Sequence, residues 1–441
     1  MKSEVSLYFP HAGKGQSVLV RFPGNRWIVV DANQRPDGKP NPTVELLRGP
    51  SEEPGFEVLA VVVTHLHTDH YSGLPAVLDF CEEVARKRGC LLGDVLGTLI
   101  LPRSYGSFFE MLEGAARPYL ETLLARLKAL SEGGFPIRSL HTYEFAWRSL
   151  GNGDLEPEEC WLITLYPPSN AVSRWLLGGR NPEVNLPPPV VLGSSLANAD
   201  NQFAYILGVG YGREEPDLHA LLTSDIPGES FASLTRDLGQ TVLPGIRERK
   251  IGAPFSLGLL VRQEATTASA KADAPDRLRA VQCLTVPHHG SGRGPAAARD
   301  LLWWLDAPDR QPKRPAFAVV QGDSRALKQN TLDELSKADL QVFTTAKPLN
   351  FVGLPAGHTG CTALDARIMA GAPWPAPSAQ PSRVLGDDDD PPLSAHLAVF
   401  GGKGGIHRVI AQNVFRIVPY APFSEHYDSA TVFDAAGPAG R

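Results

Sequence analysis

The chain lacks any apolar run near the roughly 20 residues that a bilayer-spanning helix needs. Runs such as Val58 to Val63 and Val190 to Leu192 break off far short of that, and no membrane segment is expected. Cysteine is scarce. Cys81, Cys90, Cys160, Cys283 and Cys361 form an odd, scattered set without a CxxC pair, which excludes a disulfide framework and a cysteine-based zinc site and leaves buried thiols as the expectation. Positive charge is not in excess either. With 42 Lys and Arg against 48 Asp and Glu, the net charge is -6, so there is no global basic footprint for nonspecific nucleic-acid binding. The basic clusters are modest, Arg247 to Lys250 and Arg277 to Arg279, and read as solvated faces. The opening residues MKSEVSLYFPHAGKG show no charged region followed by an apolar stretch and a cleavage site, so no secretory signal and a cytoplasmic location are expected.

What is present is ample core material. Hydrophobic residues are 43% and charged residues 20% of 441 residues, an ordinary globular composition that suits one elaborated domain or one plus an appendage. Ser17 to Arg21 and Trp27 to Asp31 are β-branched runs across a Pro-Gly-Asn turn and predict a hairpin. Gln34 to Pro42 reads as a loop and Val58 to Thr64 as a buried strand. The spacing of Leu74, Val77, Leu78, Cys81 and Val84 predicts a helix over Leu74 to Arg88 that stops at Gly89, and Tyr119 to Leu130 has a second apolar helical face. Short strands are expected at Leu99 to Pro102, Trp161 to Tyr166, Phe203 to Val209, Ala220 to Ser224, Val281 to Val286, Ala316 to Val320 and Gln341 to Thr345, with a helix at Leu327 to Lys337. This mixture predicts an α/β (α+β) architecture with sheets face to face and helices outside. The expected organisation is a body over 1–373 with insertions near 173–189 and 262–274, a Pro- and Asp-rich linker over 374–395, and a tail over 396–441 that docks on the body or forms a small β appendage.

The chemistry concentrates just after the strand ending at Thr64. His65, His67 and Asp69 are spaced by two, so an extended chain projects them to one side, and a turn into the next helix brings His70 to the same point. Each taken alone could be a surface residue, but three of the chain's 12 histidines in six residues point to a shared ion. Imidazoles with a carboxylate suit zinc, and also iron or manganese.

These residues carry a resemblance. His65, His67, Asp69 and His70 match the HxHxDH motif of the metallo-β-lactamase superfamily. Within it the chain looks like the hydrolase domain of the competence protein ComEC and its stand-alone relatives. Residues 13–33 are similar to their GxGDS strand and hairpin, Asn198 to Leu207 and Leu221 to Ile226 to their Asn-rich strand and LLTGD, and Val286 to Ser291 to their PHHGS block. The resemblance spans about residues 5–350. It implies a metallo-β-lactamase αββα sandwich holding one or two Zn2+ ions, or Mn2+ or Fe2+. It further implies that Asp225 is a carboxylate bridging two ions and that one of His288 and His289 is the last imidazole ligand. His289, followed by Gly290, is the favoured one, which leaves His288 to orient a ligand or face the substrate. Asp31 would buttress the metal loop. The chain departs from the family at Leu165-Tyr166-Pro167-Pro168, where Tyr166 stands in place of a histidine ligand, and at Arg325 to Lys328, where relatives have Gly-His-Pro. His141 could replace the missing ligand, but a lone histidine there reads as a partly buried structural residue.

The implied function is metal-assisted hydrolysis with Asp69 and His289 as catalytic residues, because divalent ions bring the pKa of a water to about 7 and polarise a carbonyl or phosphoryl oxygen. Ser291, Arg293 and Asn201 flank the metal blocks as candidate helpers, although solvated loop residues are the plainer reading. A phosphodiester of nucleic acid or a nucleotide is the first expectation for the substrate. A carboxylic ester, thioester or lactone is the second, and a metal-holding scaffold without catalysis the third.

Overall fold

The computed structural model describes residues 4–35, 39–102, 117–149, 160–167, 201, 203–211, 219–244, 281–291, 295–305, 316–322, 327–345, 395–402, 405–411, 414–417, 424–427 and 431–434. Among these residues the chain forms two sheets of nine strands each. The first runs, edge to edge, β18 (Thr431–Asp434), β15 (Gly405–Ala411), β14 (Ala395–Gly402), β1 (Val5–Pro10), β2 (Val18–Phe22), β3 (Arg26–Val30), β4 (Glu57–Val62), β5 (Leu99–Ile100), β6 (Ile137–Arg138). The second runs β17 (Ser424–Tyr427), β16 (Val414–Ile417), β13 (Gln341–Thr344), β12 (Phe317–Val320), β11 (Cys283–Thr285), β10 (His219–Leu222), β9 (Ile206–Tyr211), β8 (Cys160–Tyr166), β7 (Phe145–Ser149). Each sheet has a parallel block, β3 to β6 and β10 to β13, flanked by antiparallel strands.

Helices connect the parallel strands, as a crossover requires. In the first sheet these are α1 (Pro42–Ser51), α2 (Thr68–Tyr71), α3 (Leu74–Arg88) and α4 (Arg117–Glu132). In the second they are α5 (Gly228–Arg236), α6 (Ala298–Leu305) and α7 (Gln329–Lys337). Period-two alternation sorts the strand side chains into separate layers. Leu7, Ile28, Val30 and Val62 meet Leu162, Leu207, Val319 and Phe343 between the sheets. The alternate residues Tyr8, Trp27, Val29 and Val61 pack outward with Leu47, Val77, Leu78 and Leu127 of α1, α3 and α4. On the far side Ile163, Leu221, Ala318 and Val342 pack with Phe231, Leu301, Trp304 and Leu335 of α5 to α7. The order is therefore helix, sheet, sheet, helix.

The helix over Leu74–Arg88 ends as its sequence predicts, with Gly89 in the left-handed region at φ 65°. The loop expected over Gln34 to Pro42 gives way to α1, which the sequence reading missed. Asn41 caps it, its Oδ1 accepting from the backbone N–H of Thr43 at 3.0 Å and Val44 at 3.3 Å, and Pro42 starts the first turn. In the tail, β14 pairs with β1, β15 and β18 extend that sheet, and β16 and β17 extend the other. These strands thus cover both sheet edges next to β1 and β13 instead of standing apart, because an unpaired edge there would expose backbone donors and acceptors. The expected insertions near 173–189 and 262–274, and residues 374–394 of the linker, lie outside the described residues. Cys81, Cys160 and Cys283 are buried free thiols, Cys90 is half-buried and Cys361 lies outside the described residues. Among the described residues no helix is long and apolar enough to cross a membrane.

Candidate metal centre

The carboxyl ends of the parallel strands in both sheets open onto one region, where ligand sites of α/β sheets usually form. Asp31 follows β3, Thr64 to His70 follow β4, Asp225 follows β10, His288 and His289 follow β11, and Gln321 and Gly322 follow β12. Backbone bonds tie the histidine loop to its neighbours: Ala32 N–H donates to the His70 carbonyl at 2.8 Å and Gln16 N–H to that of Asp69 at 3.0 Å.

The side chains converge on the Asp225 carboxylate. Its Oδ1 lies 3.4 Å from His70 Nε2 and 3.4 Å from His289 Nε2, while its Oδ2 lies 3.8 Å from His65 Nε2 and 3.8 Å from His288 Nε2. Asp69 approaches His289 Nε2 at 3.6 Å. Two donor groups result, Asp69 with His70, Asp225 and His289, and His65 with His67 and Asp225. Two atoms each about 2.1 Å from one ion at a tetrahedral angle would lie roughly 3.4 Å apart, close to these separations. The Nε2 atoms of His65, His67, His70 and His289 and Oδ1 of Asp225 are buried without a hydrogen-bond partner. Buried polar atoms are ordinarily satisfied, so five orphans around one point fit divalent cations, and the imidazole and carboxylate set suits Zn2+ as well as Mn2+ or Fe2+.

The other ring nitrogens orient these ligands. Asp31, fully buried, accepts from His70 Nδ1 at 2.8 Å, from Thr64 N–H at 2.7 Å and from Thr64 Oγ1 at 2.8 Å. The Gln321 carbonyl accepts from His289 Nδ1 at 2.8 Å. Both contacts place the proton on Nδ1 and leave Nε2 with its lone pair toward the centre. His65 Nδ1 lies 3.2 Å from Thr64 Oγ1 and 3.3 Å from Ser224 Oγ.

Electrostatics follow from the same packing. Burial opposes charge on His70, but the Asp225 and Asp31 carboxylates outweigh it and hold its pKa well above the usual value. Burial likewise opposes the charge on His289, and Asp225 and Asp69 raise it. Burial pushes His65 well below its usual value, helped by the neighbouring His70 and His67. Burial resists ionisation of Asp225, but His289 and His70 keep it well below the carboxylate range. An incoming ion therefore competes with protons for His70 and His289, whose pKa values are raised. Apparent metal affinity is expected to rise with pH from 6 to 8, by about tenfold per unit for each proton displaced. Calorimetric titrations of chelator-stripped protein in two buffers of different ionisation enthalpy would measure that release, and a pH-independent affinity would contradict it.

Tyr166 ends β8 at the same edge but is buried in the apolar cluster that includes Ile226, Phe231 and Val286. His141, expected to be partly buried, is exposed at the turn before β7 and also outside both groups, because the short turn between Leu140 and Glu144 leaves its side chain on the surface. Ser291 is turned into its own loop, its Oγ donating to the His288 carbonyl at 2.7 Å. Asn201 Nδ2 reaches His288 Nε2 at 3.4 Å. Arg293 and both basic clusters lie outside the described residues.

Sequence reasoning missed Thr64, Ser224 and Gln321, which carry no metal-binding chemistry and act by contact, and read Gly322 only as part of a structural turn. Gly322 has φ +92°, and a Cβ there would lie 2.5 Å from His289 Nδ1 and 2.7 Å from the Lys14 carbonyl. Gly322→Ala is expected to displace His289, weakening ion binding about 10- to 100-fold and costing about 1–3 kcal/mol of stability. Wild-type calorimetric affinity in this variant would show that the loop absorbs the methyl group.

The family model described as the metallo-beta-lactamase superfamily matches residues 12–87 of the chain. That segment holds Asp31 and the whole histidine loop. Among solved structures the chain is similar to the metallo-beta-lactamase fold protein YhfI from Bacillus subtilis, at 9% identity over 76% of this chain and 94% of that one, TM-score 0.32. It is similar to a diphosphatase of the PhnP family, at 13% identity over 64% and 73% of the chains, TM-score 0.25. A long-form RNase Z from yeast is similar at 12% identity over 65% and 38%, TM-score 0.29. No curated protein matches the sequence.

Proposed function

We propose that the protein is a binuclear metal-dependent phosphodiesterase acting on a nucleotide or a short nucleic-acid strand in the cytoplasm. The observation that carries the reading is Asp225, whose two oxygens face separate imidazole sets with unpartnered Nε2 atoms. A carboxylate shared in this way suits two ions, and the ComEC-like blocks favour a phosphodiester. Divalent ions there would supply a nucleophile from water at neutral pH and polarise the phosphoryl oxygen. His65, His67 and Asp225 would hold one ion, and Asp69, His70, His289 and Asp225 the other. Burial opposes charge on Asp69, but the neighbouring His289 and His70 lower its pKa and favour the carboxylate. Its side chain is 35% exposed, so it can accept a hydrogen bond from an attacking water and orient it. The net charge of -6 favours a small diester over a long duplex, whose tracking needs clustered cations.

The test is turnover of bis-p-nitrophenyl phosphate, cyclic nucleotides and short single strands with Zn2+ or Mn2+ supplied, beside a panel of esters, thioesters and lactones. Diester cleavage that falls about 10³-fold or more in Asp69→Ala is expected, since the substitution removes both a metal ligand and the water-orienting carboxylate. Cleavage of the acyl panel alone would assign an acyl hydrolase, and full metal loading without turnover a scaffold.

A further inference from the structure

We propose that His288 is a ligand of the ion held by His65, His67 and Asp225, filling the place that Tyr166 leaves in that site. The inference rests on the two-ion reading above. The two donor groups are unequal: the one around His289 has four residues and the one around His65 has three. Tyr166, at the position where a fourth would come from β8, is buried in the apolar layer beneath α5. His288 supplies the balance. Asp225 Oδ1 faces His70 and His289, both at 3.4 Å, and Oδ2 faces His65 and His288, both at 3.8 Å. One carboxylate thus divides four imidazoles into two pairs, and His288 falls on the short-handed side.

The backbone supports this placement. His288 and His289 are consecutive non-glycine residues in the left-handed region, at φ 49° and 51°, a conformation that costs energy and persists where surrounding contacts impose it. His288 N–H donates to the Ser224 carbonyl at 2.9 Å, tying its turn to the residue before Asp225. Asn201 Nδ2 lies 3.4 Å from His288 Nε2, a long contact that an ion taking the Nε2 lone pair would replace. His288 remains 30% exposed, so its ring has room to swing the short distance onto the ion.

The experiment titrates chelator-stripped wild type, His288→Ala, His288→Cys and Tyr166→Phe with Co2+, reading stoichiometry by calorimetry and coordination by absorption. Wild type is expected to take two ions. His288→Ala should keep one tightly, which also reports that it folds, and bind the other about 10- to 100-fold more weakly. His288→Cys should recover that affinity and add a thiolate-to-cobalt charge-transfer band, which a merely structural position would not produce. Tyr166→Phe should match wild type. Two ions bound by His288→Ala with wild-type affinity would overturn the inference while leaving the two-ion reading intact, as would loss of one ion in Tyr166→Phe. A wild type that takes a single ion or none would overturn both.

Discussion

Asp225→Asn is expected to abolish binding at both donor groups at once, with affinity lowered by more than about 100-fold at each and diester turnover lost with it. The substitution keeps the shape of the side chain. What it removes is the negative charge that four imidazoles share, three of them through Nε2 atoms that have no other partner. His289→Ala, by contrast, removes one imidazole from one group and is expected to leave the ion at His65 and His67 in place. Elemental analysis of the two variants after equilibration with Zn2+ separates these outcomes. Equal loss of a single ion in both would mean that Asp225 belongs to one site only. The stripped Asp225→Asn chain should also release fewer protons on metal uptake. The raised pKa values of His70 and His289 depend on that carboxylate, and without it both rings are more nearly neutral before metal arrives.

Asp31→Ala carries the largest expected effect on folding, a loss of about 3–5 kcal/mol, because deleting one member of a buried charged network strands its partners. Three donors would be orphaned together, the Thr64 backbone N–H, the Thr64 hydroxyl and His70 Nδ1. The backbone adds to the cost, since Asp31 has φ 57°, a region aspartate and asparagine tolerate better than alanine. Asp31→Asn should be milder, about 1–3 kcal/mol. Its Oδ1 can still accept from Thr64, but its amide nitrogen faces the proton on His70 Nδ1. The conflict would turn or retautomerise the His70 ring and weaken its ion about 10- to 100-fold. Chemical denaturation of the stripped proteins, paired with calorimetric metal binding, measures both effects. Equal stability of Asp31→Ala and wild type would show that the network is solvated in the chelated protein.

Local patterns made much of the scaffold legible before any coordinates. The β-branched runs of β2 to β4, the apolar helical face of α3 with Gly89 behind it, and the clustered His65, His67, Asp69 and His70 each follow from side-chain spacing and backbone preference within a few residues. Strand ends blurred by a few positions, as at β9, which starts at Ile206 instead of Phe203, because pairing with β8 and β10 decides where the ladder begins. The helix α1 was hidden by the Pro- and Asn-rich approach to it, although Asn41 followed by Pro42 is a cap signal.

The sequence by itself determined that a loop rich in potential metal ligands follows a buried strand, that Asp225 and the His288–His289 pair are chemically able to join it, and that the chain can build layered sheets. These properties are local, set by alternation of apolar residues and by the donor atoms each side chain owns. Only the tertiary structure decided which oxygen of Asp225 faces which imidazole, that Tyr166 turns into the apolar layer, and that Gly322 must be glycine to seat His289. It also decided that a tail beginning beyond residue 394 completes both sheets. Those outcomes depend on strands 160 and more residues apart meeting at one edge, as Thr64 and Ser224 do through a 2.6 Å hydrogen bond, and no spacing along the chain encodes where two sheets will dock.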